Sequence, residues 1–186
     1  MMRKVSKAPA ASRAAVYLRT PTPADARAYC AAVRRSAKLH GPWVAPPTTA
    51  ARFRGWLGDP ADPRRRLYLV CRREDQALVG SFIVSEIVRG SFQSAFLGYY
   101  AFLPQARQGL MAGGLRLLLR EVFLRLKLHR LEANIQPGNL ASIALARGAG
   151  FRLEGYSPRY LKVAGRWRDH ERWAILAEDW KANWRA

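Results

Sequence analysis

Apolar runs rich in β-branched and aromatic residues occupy 67–71, 77–88 and 93–102, with the polar stretches Arg73-Glu74-Asp75 and Arg89-Gly90-Ser91 between them. This pattern, broken by turn residues, predicts three strands of an antiparallel meander. From 109 to 128 the pattern changes. Leu115, Leu118, Leu119, Val122, Phe123 and Leu126 recur at three and four, forming one apolar helical face, and Arg116, Arg120 and Arg125 fall mostly on the other. Upstream, Val16–Arg19 reads as a short strand, and Thr22 and Pro23 open a helix running to about Lys38. A second, short helix is capped near Thr48 or Thr49 and ends by Gly58. Downstream come a strand at 130–136, a helix at 139–147 stopped by Gly148-Ala149-Gly150, and a strand from Phe151. A closing hairpin pairs 160–163 with 167–176 around Ala164-Gly165. The predicted order β-α-α-β-β-β-α-β-α-β-β is a mixed α/β sheet with flanking helices, not a doubly wound Rossmann pattern.

A length of 186 residues favours one domain that buries roughly 70% of its unfolded surface. Hydrophobic residues at 49% and aromatics at 11% supply a core and argue against disorder. Cys30 and Cys71 form no CxxC pair, which fits packing residues in a reducing compartment and gives no metal site. Residues 1–12 are basic and Ala-rich without an apolar h-region. They read as a disordered leader before a single domain at 13–186, with no membrane span and a cytoplasmic location.

Charge changes this picture. Lys and Arg number 32 against 13 Asp and Glu, a net +19, and 26 of the 32 are Arg. Planar guanidinium groups suit phosphates and carboxylates, although genomic base composition explains an Arg bias equally well.

Candidate chemistry sits at two helix starts. The strand at 93–102 runs through 103–109 directly into the long helix. A glycine there leaves several backbone N–H groups unpaired at the positive end of the helix dipole, a nest suited to pyrophosphate. The second start is Pro137-Gly138-Asn139-Leu140-Ala141-Ser142, with Asn139 as N-cap and Ser142 one turn in. An ordinary tight turn and an ordinary capped helix account for both segments equally well.

Together these segments resemble the GNAT superfamily of N-acetyltransferases, and within it the RimJ/RimL branch that acetylates N-terminal amines of ribosomal proteins. The likeness is carried by Val88-Arg89-Gly90-Ser91-Phe92, Leu97-Gly98-Tyr99, Gly109-Leu110-Met111, Phe151-Arg152-Leu153-Glu154-Gly155-Tyr156, Gly165-Arg166-Trp167-Arg168-Asp169-His170, and Trp43 before Pro46. It implies a mostly antiparallel sheet of about seven strands, splayed between the fourth and fifth, with about four helices. It also implies acetyl-CoA as cosubstrate, no metal, and direct transfer of acetyl to a protein N-terminus, with a backbone N–H of the fourth strand holding the oxyanion.

The residues implied to hold the coenzyme are Phe102, Leu103, Arg107, Gln108, Gly109, Leu110, Met111, Ala112, Asn139 and Ser142. In the family's pyrophosphate loop only Gly109 fits the pattern, since Ala106 replaces a polar residue and Met111 a small one. Ala146 stands where many members carry a proton-donating tyrosine, which makes Ser142 the candidate for stabilising the thiolate. Glu86 and Glu132 are the carboxylates nearest the expected crevice and Glu86 is the candidate catalytic base, each also readable as a salt-bridge partner. His129 and His170 are given no catalytic role, and Trp167, Trp173, Trp180 and Trp184 are expected to pack. Other readings are a small-amine (antibiotic or polyamine) acetyltransferase, which the positive charge opposes, and a non-catalytic RNA or ribosome-assembly module. The basic surface fits ribosomal RNA around the acceptor, and the sequence fixes no oligomeric state.

Overall fold

A computed structural model describes residues 15–184, so the expected leader at 1–12 lies outside the described residues. The strands are β1 (Val16–Arg19), β2 (Arg66–Arg72), β3 (Leu78–Val88), β4 (Ser94–Ala101), β5 (Arg130–Ile135), β6 (Arg152–Val163) and β7 (Arg166–Leu176). They form one sheet in the order β1-β2-β3-β4-β5-β7-β6. Every neighbouring pair is antiparallel except β4 and β5. That parallel pair is short: Ser94, Ala95 and Phe96 face Arg130, Leu131 and Glu132, and pairing then stops. Beyond it β4 stays with β3 and β5 stays with β7, so the two strands part into a wedge. The seven strands and the splay are those the family resemblance implied.

The helices are α1 (Ala26–Arg35), α2 (Ala37–His40), α3 (Ala50–Leu57), α4 (Leu110–Arg120), α5 (Leu140–Gly148) and α6 (Ala177–Trp184). Alternation along the strands sorts side chains into two cores. Phe82, Leu97, Leu131 and Trp173 join Leu115 and Leu118 of α4 in one cluster. Leu69, Tyr100 and Phe102 join Tyr29 of α1 and Phe53 of α3 in the other, where both cysteines are also buried.

Four details depart from the sequence expectation. The first helix breaks at Ser36, whose hydroxyl donates to the Ala32 carbonyl (2.7 Å) and competes with the backbone ladder. The long helix stops at Arg120 and widens into a π turn over Glu121–Arg125, where the Leu126 N–H donates to the Glu121 carbonyl (2.9 Å). Val122 and Phe123 stay buried, so the apolar period continues although the ladder has changed. The crossover from β5 through α5 to β6 skips one position, which β7 fills. Finally, α6 was not anticipated; it buries Trp180 against Phe123, with ring centroids 5.4 Å apart.

His40 and His170 are both buried and take protons less readily than an ordinary histidine of 6.5, chiefly because burial penalises their charged forms. The unfolded chain therefore binds more protons below about pH 6.5, and stability should fall as pH drops through that value. Thermal melts at about pH 7.5 and 5 are expected to show a lower midpoint in acid, with a smaller fall for His40→Gln.

Candidate active site

The wedge exposes one edge of β4. The Phe102 N–H donates to the Val79 carbonyl (2.7 Å), so its backbone groups face β3, and by alternation those of Leu97, Tyr99 and Ala101 face the wedge. His40 donates from Nε2 to the Ala101 carbonyl (2.7 Å), closing the last of these positions. The Phe96–Glu132 pair takes the Leu97 N–H, so the Leu97 carbonyl and the Tyr99 backbone groups are the strand-edge groups that no strand of the sheet faces.

Across the opening, the first turn of α5 is tied to β4. The Asn139 side-chain oxygen accepts from the Ser142 N–H (3.2 Å), capping the helix. The Ser142 hydroxyl donates to the Tyr99 hydroxyl (2.7 Å), which in turn donates to the Ser142 carbonyl (2.9 Å). Burial pushes the Tyr99 phenol up to about 12, with the Ser142 hydrogen bond pulling weakly the other way. The phenol therefore holds its proton throughout the physiological range. Ala146, where the family tyrosine is missing, is buried and only 1% exposed. The wedge thus receives its phenol from β4 instead of α5. Sequence reasoning quoted Tyr99 only as part of a motif and gave it no role. Its wedge-facing parity was the available signal, but its pairing with Ser142, 43 positions away, was not local.

At the same end of β4, the loop into α4 is held from outside. The Leu103 N–H donates to the Ser36 hydroxyl (2.9 Å), the Leu103 carbonyl accepts from Arg35 Nε (2.9 Å), and Gln108 Nε2 donates to the Pro104 carbonyl (2.9 Å). The Phe102 N–H and both Leu103 backbone groups are thus engaged within the protein, and the Phe102 side chain is fully buried. Gly109 is the N-cap of α4 in the left-handed region, with φ +75°, and makes no side-chain cap. An added Cβ there would meet nothing within 4 Å. The N–H groups of Leu110, Met111 and Ala112 have no acceptor within the helix and sit at its positive end. Arg107 is exposed beside them. This uncapped, open turn fits a diphosphate. Met111 does not obstruct it, because its side chain packs toward the sheet: a Cβ on Gly80 of β3 would lie 2.5 Å from the Met111 sulfur.

The carboxylates are placed differently from one another. Glu86 is exposed, has φ +49° and sits at the irregularity of β3 between Ser85 and Val88. It lies four residues, about 13 Å of strand, from Phe82, the partner of Tyr99. The structure does not bring it to Ser142. Glu132 stands at the apex of the wedge and accepts from Arg130 Nε (2.8 Å), while Arg130 also pairs with Glu154 of β6. His129 pairs with Glu178 (3.2 Å), and His170 donates from Nδ1 to the Arg168 carbonyl (2.9 Å). Asn134 of β5 has a buried side-chain oxygen without a hydrogen-bond partner. Of the tryptophans, Trp173 and Trp180 pack as expected, but Trp167 is 60% exposed, because its part of β7 runs past the body of the sheet. Trp43 reaches across from the loop after α2 to the start of α5: its backbone carbonyl accepts from Gln136 Nε2 (3.1 Å), and its ring would meet a Cβ on Gly138 at 3.1 Å.

Known proteins resemble the chain in sequence and in fold. The chain is 39% identical over 105 residues to the probable N-acetyltransferase YjcK of Bacillus subtilis, covering 56% of this chain and 58% of that one. It is 36% identical over 107 residues to the [ribosomal protein uS5]-alanine N-acetyltransferase of Escherichia coli, covering 58% and 55%. The chain therefore spans a little over half the length of these curated relatives. Among solved structures, Mycobacterium smegmatis RimJ in complex with CoA-disulfide superposes with a TM-score of 0.79 and 26% identity over 91% of this chain and 90% of that one. Residues 15–152, which run from β1 through the wedge and α5 to the first residue of β6, match the acetyltransferase (GNAT) domain, and the chain belongs to that family.

Proposed function

We propose that the protein is an acetyl-CoA-dependent N-acetyltransferase whose acceptor is the N-terminal α-amine of a protein, a ribosomal protein in particular. The observation that carries this reading is the wedge between β4 and β5, with the Tyr99–Ser142 pair on its wall and an uncapped helix start at its mouth. The amides of Gln108, Gly109, Leu110, Met111 and Ala112, with the Arg107 side chain, would hold the pyrophosphate. The Leu97 carbonyl, the free edge of Tyr99 and the Asn139 amide would hold the pantetheine arm, which adds to β4 like an extra strand. The bound coenzyme supplies a thioester-activated acetyl group.

The chain's own residues hold and move the protons. Tyr99 is protonated at neutral pH and, turning its O–H from the Ser142 carbonyl, donates it to the departing sulfur; the Ser142 hydroxyl keeps its own proton and holds the phenolate through the 2.7 Å contact, and the phenolate regains a proton from the water that takes up the one shed by the attacking amine. An α-amine, with an ordinary pKa of about 7.7–8.0, is already partly neutral and needs no strong base. This suits a site whose apex carboxylate, Glu132, is engaged by Arg130. The acceptor class is supported by the relative named for the alanine of uS5.

Calorimetry should detect acetyl-CoA binding, and mass spectrometry should detect acetylation of a peptide with a free N-terminal alanine. Absence of coenzyme binding overturns the reading, and acetylation of spermidine in place of the peptide overturns the acceptor. Gly109→Val forces a branched side chain into the left-handed region at the cradle. It is expected to raise KM for acetyl-CoA about tenfold with a smaller change in kcat.

A further inference from the structure

The last residue of β5, Ile135, pairs with Glu171 of β7. Before Glu171, β7 has no partner but β6, so residues 166–170 project about 17 Å beyond the open end of the wedge as half of a two-stranded ribbon. Ala164 and Gly165 turn its tip, both with positive φ (+47° and +82°). Register places Lys162 opposite Trp167, Val163 opposite Arg166, and Leu161 opposite Arg168.

Two properties of this ribbon are unused by the reaction. Trp167 is 60% exposed in a chain that buries Trp173 and Trp180 to 4% and 5%. A ring held that far out contributes little to its own fold. Arg159, Lys162, Arg166 and Arg168 lie along the ribbon without a carboxylate between Tyr156 and Arg168. None of these four enters an ion pair among the described residues. The first acid beyond them, Asp169, is already engaged by the Tyr156 hydroxyl (2.5 Å) and the Arg159 N–H (2.7 Å).

We propose that the β6–β7 ribbon is a docking surface for single-stranded RNA, with a base stacked on Trp167, a phosphate met by Lys162 on the same face, and further phosphates met by Arg166 on the opposite face and by Arg159 as the strand crosses the narrow ribbon. Cations alone suit any polyanion. The exposed indole beside them narrows the partner, because unpaired bases present the π-faces that aromatic and guanidinium groups stack on, whereas a duplex hides them and an acidic peptide has none. The net +19 of the chain adds long-range attraction.

Fluorescence anisotropy of the full chain with a labelled, unstructured 12-nucleotide RNA tests this between about 50 and 200 mM salt. Trp167→Ala is expected to weaken binding at least about tenfold, and Trp167→Phe to keep most of it. Lys162→Glu with Arg166→Glu should flatten the salt dependence, by about 1.4 in the slope of log K against log salt. The proposal is overturned by absence of binding at the lowest salt, or by variants that bind as the parent does. It is equally overturned if polyglutamate displaces the RNA charge for charge, or if duplex RNA binds as tightly. Each of these measurements is independent of acetyl transfer.

Discussion

Replacing Tyr99 with phenylalanine is expected to lower kcat for acetyl transfer by about 10²–10⁴-fold, the range typical of a lost general acid, with KM for acetyl-CoA nearly unchanged. The substitution keeps the ring against Phe82 (centroids 6.2 Å apart) and removes only the hydroxyl shared with Ser142. Ser142→Ala leaves the Tyr99 phenol its bond to the Ser142 carbonyl but removes the donor behind it. The double variant should therefore be little slower than Tyr99→Phe alone, because groups acting as one unit do not add. A phenol near 12 gives no titration of its own through neutral pH, so a rate that climbs between about pH 7 and 8 reports the acceptor amine. Steady-state kinetics with a melting curve for each variant separates the roles. A structural hydroxyl alone would cost about 1 kcal/mol of stability and leave kcat intact, and that outcome would remove Tyr99 from the reaction.

The second large effect is on folding. Phe102→Ala should destabilise the chain by about 3–5 kcal/mol, because the side chain is fully buried among Tyr29, His40 and Tyr100. For a chain of this size that is a fall of roughly 6–20 °C in Tm. The consequence reaches the site, since Phe102 follows β4 directly where the loop to α4 begins, and the Leu103 backbone is held by Ser36 and Arg35. Loss of the ring should thus weaken coenzyme binding in the fraction that remains folded. Differential scanning calorimetry with and without acetyl-CoA measures both effects.

Much of the fold was legible because its signals are local. The apolar runs of β2, β3 and β4 with the turns between them, and the threonine before α3, depend on neighbours a few positions away, and their positions match the expectation closely. Gly109 was legible for the same reason: a glycine between a strand and a helix is where a left-handed residue belongs. The π turn after α4 was not legible, since widening a helix by one residue per turn leaves the apolar spacing nearly intact. Nor was α6, whose two faces are weakly contrasted and whose Trp180 is fixed by Phe123, 57 positions earlier.

The candidate site divides along the same line. Asn139 and Ser142 were found as a helix start, and the cradle as another. Glu86 was chosen by strand alone, and an irregularity in β3 turned it to solvent, four residues away from the level of Tyr99. Phe102 and Leu103 were named by adjacency to the loop, while packing on α1 and hydrogen bonding to β3 took their backbone groups.

By itself, then, the sequence determined the elements, the turn chemistry at the two helix starts and the positive charge, all of which are properties of short stretches or of sums. Only the tertiary structure decided which groups meet. The parting of β4 from β5 depends on β7 claiming β5, and the Tyr99–Ser142 pair depends on α5 folding back over that gap. Trp167 stays in water only because β7 outruns β5. Such contacts join residues tens of positions apart, and the free energy that selects them comes from burial and hydrogen bonds that exist only once the sheet has formed.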